Sequence, residues 1–398
     1  SAANIEYHAR VISQKWLMRE IIKIGDDSIN RGFDETSDPF EIYDSFQQKM
    51  LELFVTTTGN MRAMVDDWRD GVDQAERAMV FREKMGDMPI TGVATGLHKL
   101  DAITMGLQRK DLIIVGARPS MGKTTLALNI AINAAANGIH VLFFSLEMDR
   151  QQIYRRIASI KAGINPRDVV SGKMSVDGLS KYSSAWAKAT GIHVDDKAGV
   201  DVGYIKRVSK GRMKAVGQYL IIVDYLQLMS GMRERNGNRE QEIASIARAL
   251  KQLAKDTDTP CLALSQLSRS VETRGGDKKP MMSDLRESGS IEQDADVVMF
   301  CYRPEYYGLT TYEDGSSTHG MGEIIIAKQR NGPVGEIKLG WDPRIKGWHN
   351  MGEVEDDQQG LFPDPKRVQP KDYTIPSHDP QQPDGGYTIG GEGHHNEF

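Results

Sequence analysis

The residues best suited to chemistry stand in one short loop. Gly116-Ala117-Arg118-Pro119-Ser120-Met121-Gly122-Lys123-Thr124 follows an apolar run, Leu112 to Val115, and opens a stretch rich in Ala and Leu. A glycine-bearing loop between a strand and a helix is the setting of a P-loop. The chemistry accounts for the residue types. Main-chain N–H groups and the helix N-terminus hold phosphate oxygens, Lys123 reaches the outer phosphates of ATP, and Thr124 ligates Mg2+. Ala117, Arg118, Pro119, Ser120, Met121, Gly122, Lys123, Thr124 and Thr125 are therefore the candidate nucleotide-binding residues. One position departs from the usual pattern: counted back from Gly122, the place of the first glycine is taken by Ala117, with Gly116 one residue earlier.

Polar residues at the ends of other apolar runs extend this chemistry. Leu220-Ile221-Ile222-Val223-Asp224 is a strand ending in a carboxylate, the Walker B arrangement, in which Asp224 supports Mg2+. Glu147 closes the run Val141 to Leu146. With that strand next to the P-loop strand, Glu147 can orient or deprotonate an attacking water. The residue also precedes a helix at Asp149 to Lys161, so capping that helix is the competing role. Gln266 ends Leu264-Ser265-Gln266, where a strand tip can sense a terminal phosphate. Lys328-Gln329-Arg330 ends the strand Glu323 to Ala327. The expectation is that all of these gather at C-terminal strand ends, where open parallel sheets bind ligands.

The elements that must position these residues begin with short apolar runs separated by helical stretches. The runs are Leu112 to Val115, Val141 to Leu146, Leu220 to Val223, Cys261 to Leu264 and Val297 to Cys301. Near-continuous apolar strands of this kind indicate an α/β domain with a mostly parallel sheet covered on both faces. Ile324 to Ala327 and Val334 to Leu339, joined through Asn331-Gly332-Pro333, add a hairpin. Ahead of this body, residues 8 to 57 read as two helices joined by a turn at Gly32 to Pro39. Asp38 as cap, Pro39 at the first position and Glu41 three after the cap mark the second start. Tyr43, Phe46, Met50 and Phe54 then fall on one face. Met61, Met64, Val65, Trp68, Val72, Ala75 and Met79 stripe a further helix, which packs on its own domain or on a neighbouring subunit. The resulting organisation is a helical hairpin over 1–59, a linker helix over 60–89, the ATPase body over 90–350 and a tail over 351–398.

Composition bounds the function classes. The longest apolar runs are strand-length, well short of the ~20 residues of a spanning helix, so no membrane partner is expected. Cys261 and Cys301, the only two cysteines, both lie in apolar runs and read as buried thiols in a reducing compartment. The net charge of -5 is concentrated after residue 350: that tail carries ten Asp or Glu against three Lys or Arg. The rest of the chain is slightly basic. The tail also holds six of the fifteen prolines, and it reads as disordered, either inert or a partner-binding peptide. The chain opens Ser1-Ala2-Ala3 rather than with methionine, which reads as a cut or altered end.

Taken together, several segments resemble the successive motifs of DnaB-type replicative helicases. They are Ala117 to Thr124, Phe144-Ser145-Leu146-Glu147-Met148, Ile222 to Leu228, Leu264 to Arg269, Asp284 to Gln293 and Lys328-Gln329-Arg330-Asn331-Gly332-Pro333. The resemblance spans residues 95 to 340 in the family order. It implies a RecA-like P-loop ATPase that assembles as a homohexameric ring around single-stranded DNA and moves along it using ATP and Mg2+. Carried over residue by residue, it implies that Glu147 activates water and that Lys123 and Thr124 bind phosphate and Mg2+ with the support of Asp224. Gln266 would sense the terminal phosphate, and Lys328 and Arg330 would reach into a neighbour's site. Arg156, nine residues after Glu147, matches a nucleotide-contacting arginine of the family.

The family's channel loop matches Arg286, Glu287 and Gly289. An arginine with main-chain N–H groups suits phosphate contact without base reading; an internal ion pair of Arg286 with Glu287 or Glu292 is the alternative. Arg233 to Arg239 reads as a second channel loop. The early helices resemble the family's hairpin and linker helix. Primase and a helicase loader are further implied partners, although the globular helical subdomain that precedes the hairpin in the family has no counterpart here. The implied location is the cytoplasm, of a bacterium or of a phage host. A RecA-type recombinase shares the fold and the P-loop but not the Arg286 to Gln293 and Lys328 to Pro333 motifs. A nucleotide-gated ring that moves nothing is the alternative from another class.

Overall fold

A computed structural model describes residues 2–34, 37–58, 90–187, 191–213, 219–230 and 239–352, with isolated helical positions at 72, 75, 76 and 79. Side chains are described throughout these spans except at 2–14, 51, 54–58, 186–187 and 286–290. Most of the linker-helix stripe, residues 231–238 and the tail from 353 lie outside the described residues.

One nine-stranded sheet organises the body. Its strands are β1 Leu112–Ala117, β2 His140–Ser145, β3 Ile192–Asp195, β4 Tyr219–Asp224, β5 Cys261–Gln266, β6 Val297–Tyr302, β7 Met321–Gln329, β8 Gly335–Asp342 and β9 Gly347–His349. They lie in the order β3-β2-β4-β5-β1-β6-β7-β8-β9. The first six pair in parallel and the last three add antiparallel, so the α/β reading with a mostly parallel sheet holds. Two short strands escaped the sequence reading. β3 has only two apolar residues, and β9 has three residues in all.

Each central strand is buried on both faces, which is why its residues are apolar without alternation. Pleating still divides them. Ile113 and Val115 of β1 join the core on one face, with Leu126, Ile130, Phe143 and Leu264. Leu112 and Ile114 join the other, with Phe144, Ile243, Leu250 and Phe300. Helix Lys123–Ala136 supplies the first layer and helix Arg239–Thr257 the second. A fully buried Leu or Ile contributes about 1.5–3 kcal/mol, so these two layers dominate the favourable side of folding. Cys261 and Cys301 are buried free thiols, and burial pushes both up to about 12.

Helices Ala2–Gly32 and Pro39–Thr58 form the expected pair. The Asp38 carboxylate accepts from the Phe40 N–H at 2.8 Å, which fixes the second start. Tyr43 and Phe46 of the expected apolar face stay exposed, whereas Ile24 and Leu53 are buried. Val72 and Met79 are exposed where the linker stripe is described. Among the described residues no helix is long and apolar enough to cross a membrane.

Candidate active site

The site is built on the C-terminal ends of the parallel strands. β1 delivers the chain into the loop Arg118–Gly122, and helix Lys123–Ala136 begins at once with its N–H groups free to face an anion. Gly122 has φ +90°, and a Cβ there would lie 2.6 Å from Trp341 Cζ3, so only glycine fits. The loop rests on an aromatic seat. Trp348 Nε1 donates to Gly122 O at 3.0 Å, Trp341 packs edge-on to Trp348, and Arg303 lies over the Trp341 ring while donating to Ser120 O at 3.3 Å. Sequence reasoning missed these three residues. Their one visible signal is two of the five tryptophans closing the body, far along the chain from the loop they support.

The loop's own side chains divide in role. Arg118 is buried, donating to Glu272 Oε1 at 3.0 Å and to Leu267 O at 2.8 Å. The nucleotide-contact role expected for it is therefore open to its main chain, not its guanidinium. Met121 is buried in the core as well. Lys123 is nearly buried, with Nζ 3.8 Å from Asp224 Oδ1 and 4.2 Å from the centre of the Tyr225 ring. Burial lowers its pKa, while the Asp224 and Glu147 carboxylates pull in the opposite sense.

Asp224 is fully buried at the end of β4. Its Oδ2 accepts from Thr124 Oγ1 at 2.8 Å, and its Oδ1 has no hydrogen-bond partner among the described residues. The Lys123 ammonium at 3.8 Å offsets part of the charge on Oδ1 but is too far to donate to it, which leaves a lone pair open to a metal ion or its water. A hydroxyl and a single carboxylate side by side suit Mg2+, which takes one or two carboxylates and completes its shell with water and substrate phosphates.

Glu147 reaches the site by a different route from the one expected. The strand it follows, β2, is not next to the P-loop strand: β4 and β5 stand between them. The carboxylate nevertheless acts on Lys123, Arg156 and Tyr225 electrostatically. Its competing role is removed, because Asp149 caps helix Arg150–Ala162 by accepting from Gln152 N at 2.8 Å. Arg156, on that helix, has its pKa lowered by burial, and Asp224 and Glu147 pull it back up. The arginine thus belongs electrostatically to the same site. Gln266 is exposed at the tip of β5, beside Ala117 in register.

Lys328 and Arg330 are not part of this edge, and the expectation that they cluster with the others at C-terminal strand ends is corrected. β7 runs antiparallel to β6, with Lys328 opposite Val298 and Gln329 opposite Val297 at the start of β6. The end of β7 is thus at the N-terminal edge of the parallel strands. At ~3.3 Å per residue, a six-residue strand separates the two edges by roughly 20 Å. There Lys328 Nζ donates to Glu292 O and to Ala295 O, the latter at 2.6 Å. Arg286, Glu287 and Gly289 lie in a helical turn, Met282–Ser288, and at the start of helix Gly289–Asp294. Their side chains are outside the described residues.

A P-loop on β1, a buried strand-end aspartate touching the P-loop threonine, and a glutamate following β2 define a RecA-like ATPase. Residues 92–350 match the family described as DnaB-like helicase C-terminal domain. The chain is 39% identical over 363 residues to the replicative DNA helicase DnaB of Geobacillus stearothermophilus, covering 90% of this chain and 78% of that protein. It is 38% identical to the replicative DNA helicase DnaC of Bacillus subtilis (strain 168), covering 90% and 77%. Among solved structures, a DnaB-like replicative helicase studied for its interactions with primase superposes with TM-score 0.70 at 31% identity, covering 88% and 80%. A solved ATPase domain superposes with TM-score 0.63 at 36% identity, covering 70% of this chain and 98% of that one. The chain belongs to the DnaB-like helicase family: it is a replicative DNA helicase, an enzyme that unwinds DNA with ATP.

Proposed function

We propose that the chain works as a hexameric ring that encircles single-stranded DNA in the cytoplasm and hydrolyses ATP between neighbouring copies. The observation that carries this reading is the separation of the two halves of the chemistry. Lys123, Thr124, Glu147, Asp224 and Gln266 occupy one edge of the sheet, whereas Lys328 and Arg330 occupy the other. A cation roughly 20 Å from its own P-loop is out of reach of its own nucleotide, so any nucleotide it serves belongs to another copy.

Within one site the residues divide the work as follows. The P-loop N–H groups and Lys123 bind and orient the phosphates, and Gln266 faces the terminal one. Glu147 takes the proton of the water that attacks the terminal phosphorus as the bond to the bridging oxygen breaks, giving ADP and phosphate. Thr124 Oγ1 and Asp224 would hold Mg2+, which when bound neutralises charge on the phosphate oxygens. Arg156 adds positive charge near Glu147, and Lys328 and Arg330 of the adjoining copy stabilise charge that develops at the transferring phosphoryl group. Arg286, Glu287 and Gly289 contact the DNA backbone, which suits a motor indifferent to sequence. Primase and a helicase loader are proposed as protein partners.

Unwinding of a forked duplex with and without ATP, beside the Lys123→Ala protein, tests the reading. Strand separation that needs both ATP and Lys123 is the expected result. ATP turnover indifferent to single-stranded DNA, with no unwinding, would return the chain to a nucleotide-gated ring that moves nothing.

A further inference from the structure

Immediately after the β4 carboxylate the chain makes a short turn, Leu226–Leu228, and Gln227 at its centre reaches back to the tip of β5. Its carboxamide grips the main chain of Gln266 from both ends. Oε1 accepts from the Gln266 N–H at 3.2 Å, and Nε2 donates to Gln266 O at 3.1 Å and to Ser265 Oγ at 3.0 Å. The pairing of β4 with β5 has already ended, at Val223 opposite Ala263. Gln266 is therefore beyond the reach of the β4 main chain, although β1 still follows it, with Ala117 opposite. A carboxamide offers the same donor and acceptor as a peptide group. Gln227 thus stands in for the missing strand residue and prolongs the sheet by one step, at the residue that faces the terminal phosphate. The Gln227 carbonyl is itself held, accepting from Arg239 Nη2 at 2.6 Å.

We propose that Gln227 is a positioning residue for hydrolysis: it holds the Gln266 main chain so that the Gln266 side chain meets the terminal phosphate in the reacting geometry. This rests on the sensing role of Gln266. The strand tip is exposed, so water can satisfy the Gln266 N–H and C=O when the clamp is lost. Loss of Gln227 is therefore expected to change orientation more than stability. Displacement of a positioned group by about 1 Å can cost on the order of a hundredfold in rate.

The test uses the full chain in four forms: Gln227→Ala, Gln266→Ala, the double variant, and Gln227→Glu. The glutamate keeps the acceptor toward the Gln266 N–H, loses the donor, and serves if the alanine variant fails to fold. DNA-stimulated ATP turnover, KM for ATP and thermal midpoint are read for each. Gln227→Ala is expected to lower kcat by about ten- to a hundredfold with KM within about twofold and the midpoint little changed. The double variant should be no slower than Gln266→Ala, because both losses disable one device. Slow Gln266→Ala beside parental Gln227→Ala and Gln227→Glu would overturn the positioning role and leave the sensor standing. A parental rate for Gln266→Ala would remove the sensor reading, and this inference with it. Multiplying losses in the double variant would show that Gln227 acts by another route and would also overturn it.

Discussion

Arg330 Nη1 lies 3.2 Å from Asp296 Oδ1 of the same chain, while the Arg330 N–H donates to Asp296 O at 2.8 Å. Asp296 is buried and also accepts from the Leu112 N–H at 2.8 Å and from Lys251, so its carboxylate is anchored at the start of the P-loop strand. The arginine is 52% exposed on its side chain. Asp296 keeps the Leu112 N–H and Lys251 as partners without the arginine, so a phosphate on a neighbouring copy can compete for Arg330.

Exchange between copies gives the most direct test of Arg330. Arg330→Ala and Lys123→Ala proteins should each be inactive alone, with a loss of about a thousandfold for the arginine. Mixed under conditions that exchange subunits, they should regain part of the ATPase activity, because some interfaces then join an intact P-loop to an intact Arg330. A labelled subunit verifies exchange. An arginine acting on its own nucleotide would give no rescue, and a surface residue without a role would leave Arg330→Ala active.

Glu147→Gln removes the proton acceptor but keeps the shape and the approach to Lys123 and Arg156. ATP binding should persist within a fewfold while turnover falls by about a hundredfold or more. Nucleotide affinity by fluorescence titration beside single-turnover hydrolysis separates the two effects. Hydrolysis at the parental rate would withdraw the base assignment.

Arg286→Ala should weaken single-stranded DNA binding about equally on all sequences and reduce the salt slope by roughly one phosphate contact. ATP turnover without DNA should remain. An affinity unchanged across a salt titration would return Arg286 to the internal ion pair.

Asp111 is pushed up to about 6, first by burial and then by the neighbouring Asp296 carboxylate, against the pull of Lys251 and Arg330. The native chain therefore holds this proton more tightly than the unfolded chain, whose carboxyl ionises near 3.8. Stability contributed by the group is fully present below the unfolded value. It declines as pH rises through the window from about 4 to about 6, by at most about 3 kcal/mol, and is constant above it. Asp111→Asn should flatten that decline, as read from denaturant midpoints between pH 4 and pH 7. An unaltered slope would place the titration elsewhere.

Sequence patterns reveal the phosphate edge well because its residues are local: Gly122-Lys123-Thr124 between strand and helix, and Asp224 at the end of an apolar run. Strand order is a different matter. Apolar periodicity marks β2 as a strand but carries nothing about its neighbours, so the pattern sets Glu147 beside β1 where two strands intervene. The same blindness to direction puts Lys328 and Arg330 at the phosphate edge, since a strand running either way has the same apolar pattern. Trp341, Trp348 and Arg303 escape notice because their partners in the loop are distant in sequence, and a tryptophan among apolar residues reads as core. Gln227 lies inside the family-like segment Ile222 to Leu228, but nothing local says that its amide caps a strand tip 39 residues away.

The antiparallel course of β7 has a consequence for how activity must scale with assembly. In the proposed ring each copy presents an acceptor at one edge and a donor at the other, a head-to-tail contact that uses two unlike surfaces. An open string of copies always leaves one acceptor at its end unserved, so it contains one fewer complete site than it has members. Closure of the circle removes that dangling end. Turnover per copy should therefore climb with chain length in open assemblies and step up once more on closure, and dilution should silence the enzyme before it unfolds any subunit.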